Sequence, residues 1–236
     1  MSGRSFRQVR RHYSNELTIR MANRGFEVLR DWIDEVGTGD PGYLPLGYLL
    51  LVPPEAVEAC RSNVDLGRGL GVDTSFLEPD EVSEVEPLVG LKGVAGAAFE
   101  PDGGIVDVHR MILSWVMAAV GRGLVPRFGV GVAEIEVAGG RVRGVRTTKG
   151  DRISCGFVVN AAGCWAPDLV APLGLDLPIQ LFRLQMGHLR QPPGAPTLGV
   201  ALTDTAGGLV MRPDGGASGV GGRLRAGCAS ADACDG

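Results

Sequence analysis

Apolar residues recur along this chain with two different periods, and the change of period marks out its elements. From Ser14 or Asn15, either able to cap a helix through its side chain, Leu17, Met21, Val28, Leu29, Trp32 and Val36 return near every 3.6 residues. They predict a long amphipathic helix, stopped by Gly37 and Gly39. Gly47–Val52, GYLLLV, is short and nearly all apolar, which predicts a buried strand. Residues 55–67 predict a helix, and Leu77–Pro87 a short helix and turn. The five carboxylates between Glu78 and Glu86 read as a solvated helix face rather than a metal or acid–base centre.

A second helix follows Asp107, its predicted N-cap, with Val108, Met111, Ile112, Trp115, Val116, Ala119 and Val120 on one face and Gly121 or Gly123 at its end. Leu124–Phe128 then predicts a strand. Val132–Val137 and Val142–Thr148, joined at Ala138-Gly139-Gly140, predict a hairpin. After the turn Lys149-Gly150-Asp151 comes Phe157–Ala161, whose three consecutive apolar residues predict a strand covered on both faces and flanked by parallel neighbours. The longer, mixed stretch Leu177–Leu189 suggests an antiparallel sheet in a second domain.

Composition narrows the function classes. Apolar residues are 44% and charged residues 21% of 236, an ordinary globular balance. A net charge of −4 argues against nucleic acid, whose phosphates need a basic surface. Arg4, Arg7, Arg10 and Arg11 precede the first acidic residue, Glu16, a pattern that fits either a presequence or a folded segment. No apolar run approaches the ~18 residues of a membrane span, and the chain reads as cytoplasmic. Five scattered cysteines without C-x-x-C spacing, and three unrelated histidines, give no basis for a disulfide framework or metal site.

Gly37-Thr38-Gly39-Asp40-Pro41-Gly42 fits G-x-G-x-x-G literally. That motif cradles a pyrophosphate only between a strand and a following helix. Here a helix precedes it and a strand follows, so it reads as a helix stop. Val158–Leu169, VVNAAGCWAPDL, is more informative: a strand ends in Asn160, Ala161, Ala162 and Gly163, small residues that admit close approach, before Trp165 and a short helix. A ligand crevice and a turn built for packing alone are both compatible with that pattern. Trp165 reads more readily as packing than stacking, and Cys164 as a small residue rather than a point of covalent attachment for a ligand.

Val158–Leu169 resembles the second FAD-contacting motif, VxAAGxW, of the D-amino-acid oxidase superfamily. Asp102–Asp107, DGGIVD, resembles that family's DGxVDP, and GGRVRGVRTTKGDRISCGFVVNAAG resembles its hairpin throughout. Leu177-Pro178-Ile179, Leu184-Gln185 and Met211–Gly216, MRPDGG, resemble its substrate-domain sheet. Gly3-Arg4-Ser5, Val9-Arg10 and Tyr13 resemble the GRN…IR…Y segment of sarcosine oxidase beta subunits, with Ser5 in place of Asn. The resemblance covers about residues 3–216. It implies FAD as cofactor, with Arg4 and Ser5 beside the flavin ring, Val132 at the adenine, and Asn160, Ala161, Ala162, Gly163 and Trp165 at the second motif. Arg212 becomes either a substrate-carboxylate clamp or an arginine before a turn.

The fold implied is mixed α/β: an incomplete Rossmann-like, glutathione-reductase-type FAD domain (residues 1–42 and 101–175) interleaved with an antiparallel-sheet substrate domain (43–100 and 176–216). Residues 217–236, lacking any aromatic or periodic pattern, read as a disordered tail or a shifted reading frame rather than family sequence. In the family the pyrophosphate loop precedes the GRN segment, so the chain reads as a piece of a larger enzyme, inactive alone. That enzyme would oxidise the C–N bond of an amine or amino acid such as sarcosine, glycine or a D-amino acid. The rivals are a subunit whose cofactor loop comes from another chain, and a cofactor-free module keeping the fold.

Overall fold

Asn15 starts the first helix, its side chain accepting from the Thr18 N–H at 2.8 Å, a cap that stabilises by about 1 kcal/mol. The computed structural model describes residues 6–181, 185–190, 192, 194–214 and 218–223. Ahead of the cap lies the two-residue strand β1 (Gln8–Val9); after it come α1 (Glu16–Arg30) and α2 (Trp32–Val36). Gly37, at φ 89°, closes α2 in the left-handed conformation, so the GxGxxG look-alike is a helix stop. Ile19, Phe26, Trp32 and Val36 are buried, whereas Leu17 and Met21, expected on the inner face, are 69% and 68% exposed.

The chain continues through β2 (Tyr48–Val52), α3 (Val57–Gly69), β3 (Ser75–Leu77), α4 (Pro79–Val85), β4 (Gly96–Glu100), β5 (Gly104–Ile105) and α5 (Val108–Gly121). A Cβ on Gly103 would stand 2.4 Å from the Tyr48 Cβ and one on Gly104 2.1 Å from the Leu44 carbonyl oxygen, so the DGG stretch is glycine because the chain crosses β2 there. Asp107 caps α5 as predicted, accepting from the His109 and Arg110 N–H groups. The predicted apolar face of α5 packs in part: Val108 is buried and Met111, Ile112, Val116 and Ala119 are half-buried, while Trp115 is 46% exposed beside Trp32 and Ser114, outside that face, is buried. Glu86 departs from the solvated acidic run; it is buried and accepts from the Gly199 N–H at 2.6 Å.

Residues 123–183 form one compact unit, and residues 2–122 with 184–224 the other. The first contains the hairpin β6 (Val132–Ala138) and β7 (Arg141–Thr147), then β8 (Arg152–Ser154) and α6 (Ala166–Val170). Its core is Ile135, Val145 and Val170, with Val142, Ile153, Val158 and Leu169 packed around them. Two expected strands are missing here. Leu124–Phe128 is irregular, with Val125 and Phe128 75% and 79% exposed. Phe157–Ala161 forms no strand: Val158 packs inward, while Phe157 and Val159 are 92% and 90% exposed. A strand needs a neighbour to take up its N–H and C=O groups, and the described residues place none beside this segment.

The second unit is built on a seven-stranded sheet completed by β9 (Gln185–Arg190), β10 (Ala201–Asp204), β11 (Leu209–Asp214) and β12 (Ser218–Arg223). Its order is β3-β4-β2-β10-β11-β12-β9, antiparallel except between β2 and β10. Residues 6–42 and 101–122, expected with the cofactor domain, cluster with this sheet. β12 also corrects the reading of residues 217–236 as a tail without structure; the rest of that stretch lies outside the described residues. One sheet face carries Leu49, Leu51, Ala97 and Leu202 against Val82 of α4. The other buries Ala98 and Val52 under Cys60 and Val64 of α3, and Tyr48 and Ala201 beside Ile105.

Candidate functional site

In the unit of residues 123–183, Asn160 shapes the turn that the sequence singled out. Its Nδ2 donates to the Ala166 carbonyl at 3.0 Å, and its Oδ1 accepts from the Ala162 N–H at 3.2 Å. Both ends of the amide thus hold the backbone that leads from Phe157–Ala161 into the 3-10 turn Gly163–Trp165 and α6. Gly163 stands at φ +60°, and a Cβ built there meets nothing within 4 Å. Ala161 is exposed, Ala162 half-buried, Cys164 buried and Trp165 36% exposed. Val132 is exposed at the start of β6, the strand against which α6 packs. The turn therefore presents a small-residue backbone to open space, and in that respect it fits contact with a flat, bulky cofactor. Asn160 is a residue of the turn itself, with its amide already engaged.

Arg4 and Ser5 lie outside the described residues. Arg212 belongs to the other unit, on β11, where it is buried and its Nη1 donates to the Pro213 carbonyl at 3.5 Å. Its position in the sheet follows from register. Glu100 pairs with Tyr48 and Tyr48 with Ala201. One residue beyond the Leu202–Met211 pair, Arg212 comes opposite Ala201. Side chains at one level of neighbouring strands share a face, so Glu100, Tyr48, Ala201 and Arg212 form a row across β4, β2, β10 and β11.

The segment after β1 crosses that row. Gln8 Nε2 donates to the carbonyls of Leu202 and Met211 at 3.2 and 2.8 Å. The Arg10 guanidinium lies 4.6 Å from the Tyr13 ring centroid and 5.6 Å from that of Tyr48, and it donates to the His12 carbonyl. The Arg11 N–H donates to Glu100 Oε2 at 2.8 Å, and its Nη2 to Asp102 at 3.1 Å. Tyr48 donates its phenol to Thr203 Oγ1 at 2.9 Å. The sequence reading passed over Arg10, Tyr13 and Tyr48 as functional side chains. The V-R…Y spacing carried the signal for Arg10 and Tyr13, while Tyr48 was hidden in an apolar run.

Burial dominates the electrostatics of this face. It raises the Glu100 carboxyl above its usual range, against the opposing pull of the Arg11 N–H and guanidinium. It raises the Tyr48 phenol. It lowers the His12 imidazole to about 4, with the nearby Arg10 charge adding to the effect. Neither ring nitrogen of His12 has a hydrogen-bond partner among the described residues, so the ring is neutral near neutrality. Among the described residues no group of acidic, histidine or cysteine side chains is placed to hold a metal, and no helix is long and apolar enough to cross a membrane.

Comparison with known proteins places these features in context. A family model described as FAD dependent oxidoreductase matches residues 1–233; the match runs through the stretch read from sequence as foreign to the family. The mitochondrial pyruvate dehydrogenase phosphatase regulatory subunit of Mus musculus is 30% identical over 161 residues, 67% of this chain and 18% of its own length. A D-amino acid dehydrogenase of Cereibacter sphaeroides is 35% identical over 127 residues, 52% of this chain and 28% of its own. The crystal structure of L-proline dehydrogenase from P. horikoshii superposes with a TM-score of 0.85 at 24% identity, over 95% of this chain and 60% of that one. The chain thus spans less than two thirds of each of these relatives.

Proposed function

The chain belongs to the family of FAD-dependent oxidoreductases, and from that premise we propose that it is part of an enzyme oxidising the C–N bond of an amino acid or N-alkyl amino acid. FAD is the cofactor of that family; when bound it supplies the two-electron acceptor for the C–H bond beside the amine nitrogen. In this reading residues 123–183 hold the cofactor, through Ala161, Ala162, Gly163 and Trp165 of the turn and Val132 of β6. The seven-stranded sheet holds the substrate, with Arg212 offering its planar guanidinium to a carboxylate. Sarcosine, glycine and D-amino acids are the substrates that such a face suits.

The observation that carries the cofactor assignment is the open, left-handed Gly163 on a turn pinned by Asn160. Gly150 supplies its control, at φ +88° with equally open space around a built Cβ. Gly163→Val and Gly150→Val therefore impose the same kind of backbone strain. In a fluorescence titration of FAD into the chain, Gly163→Val should weaken binding by about tenfold or more, a loss of ~1.4 kcal/mol, while Gly150→Val stays near the parent. Equal effects of the two variants would sink the assignment.

A second reading has an observation of its own. The similarity to a regulatory subunit favours a non-catalytic module or partner subunit that keeps this fold. It predicts a flat FAD titration for the parent chain.

A further inference from the structure

Glu100 ends β4 wholly buried, and its carboxylate is turned to residues 10–13, which cross the sheet without forming a strand of it. We propose that Glu100 is a positioning residue. With Asp102 it forms an acidic clasp that fixes residues 8–13 as a strap over the sheet face. On the reading that this sheet holds the substrate, the height of the strap sets how tightly the face holds its ligand.

The strap steps across the strands one after another. Gln8 is tied by its amide to carbonyls of β10 and β11, Arg10 lies over the Tyr48 ring of β2, and the Arg11 N–H reaches Glu100 of β4 at 2.8 Å. The His12 N–H bears on the same carboxylate. Two successive backbone donors thus meet a charged side-chain acceptor where a strand would have offered carbonyls. The Arg11 guanidinium lies 4.5 Å from the Phe26 ring centroid, and its Nη2 reaches Asp102 at 3.1 Å. Asp102 also takes Arg30 of α1 at 2.5 Å, so the clasp joins the strap to the sheet and to the first helix.

Position, rather than stability, is what such a clasp supplies. Glu100 is 0% exposed and Arg11 4%. Desolvating a buried carboxylate and guanidinium offsets most of their attraction, so an apolar pair of the same volume would hold this corner about as well. An apolar pair cannot take up the Arg11 and His12 N–H groups, and without that acceptor the strap has no fixed height above β2 and β4. Glu100 Oε1 has no hydrogen-bond partner among the described residues, and Oε2 carries the bond to the Arg11 N–H.

The test is hydrogen exchange resolved amide by amide on the full chain, joined to a calorimetric titration of sarcosine with FAD present. Glu100→Met keeps the length of the side chain and removes the acceptor. Exchange at the Arg11 and His12 amides should then quicken by about tenfold or more, while Leu49 and Leu51 of β2 keep their rates and the melting temperature stays near the parent's. Glu100→Gln restores an acceptor oxygen and should recover most of the protection, which a need only to fill the site would not predict. Asp102→Ala, at a half-buried side chain, should quicken the same amides several-fold, and it carries the test if Glu100→Met unfolds. Sarcosine should bind several-fold more weakly to Glu100→Met than to the parent, and near the parent value to Glu100→Gln. Parent-like strap exchange in either disruptive variant that folds, or a sarcosine affinity indifferent to a loosened strap, overturns the proposal. A strap loosened by these variants in a chain whose parent binds no sarcosine supports the clasp and counts against the proposed function instead.

Discussion

Asn160 could pass for a cofactor ligand in a sequence, since it leads a run of small residues; in the folded chain its amide is engaged twice with its own loop. Asn160→Ala should therefore lower stability by about 1–2 kcal/mol, the cost of two lost side-chain hydrogen bonds partly offset by water; urea denaturation measures it. A loss near zero would mean that the turn stands without it. His12 gives a residue-scale effect of pH. Its unfolded value is near 6.5 and its folded value about 4, so between them the unfolded chain binds more protons. Its contribution is fully present above 6.5 and falls by roughly 3 kcal/mol as pH drops toward 4. Glu100, raised by burial, has the opposite slope, since its folded form holds a proton to higher pH. Subtracting the stability–pH curve of His12→Leu from that of the parent isolates the histidine; a difference curve flat between pH 4 and 6.5 would show that the imidazole titrates normally. At this scale the sequence reading singled out Gly163 and Arg212 through motif and carried Arg10 only as part of the V-R…Y segment, while Tyr48 lay hidden in an apolar run.

Elements were legible where local rules suffice. The hairpin β6–β7 announces itself by alternation and a Gly-Gly turn, and Asp107 caps α5 by a bond within three residues. Elements that depend on distant neighbours were misread. Phe157–Ala161 has the composition of a buried strand, but composition cannot supply a ladder partner, and the segment lies outside any sheet with two apolar side chains outward. Helix α5 has a regular apolar stripe, yet its packed row is set by Ser114, which accepts from the Asp40 N–H at 3.1 Å. The exposed pair makes a clear prediction: Phe157→Ser with Val159→Ser should shift stability by less than about 0.5 kcal/mol and raise the solubility limit of the chain by removing an apolar patch. A large fall in the urea midpoint would place those side chains in a packed interior instead.

For the molecule as a whole, the two units differ in the size of their cores. Residues 123–183 gather few buried apolar side chains, chiefly Ile135, Val145 and Val170, while the sheet unit buries clusters on both faces. Smaller cores open at lower free energy. Of the three tryptophans, Trp165 alone lies in residues 123–183, so Trp32→Phe with Trp115→Phe makes it the sole reporter there. Its fluorescence transition in urea should come at a lower concentration than the far-ultraviolet circular dichroism change. Coincident transitions would show one cooperative unit.

Gln8 closes contacts with residues 194 and 203 positions further along the chain. On a ribosome adding about 5–20 residues per second, the segment carrying Gln8, Arg10 and Arg11 emerges on the order of ten to forty seconds before the strands it must cross. Throughout that interval the Gln8 amide lacks its acceptors on β10 and β11. The face made by Tyr48 and Glu100 also waits for Ala201, its parallel neighbour across a long connection, a topology that slows folding. Synthesis therefore leaves this arginine-rich stretch available to chaperones or to premature partners until β10 and β11 have been translated.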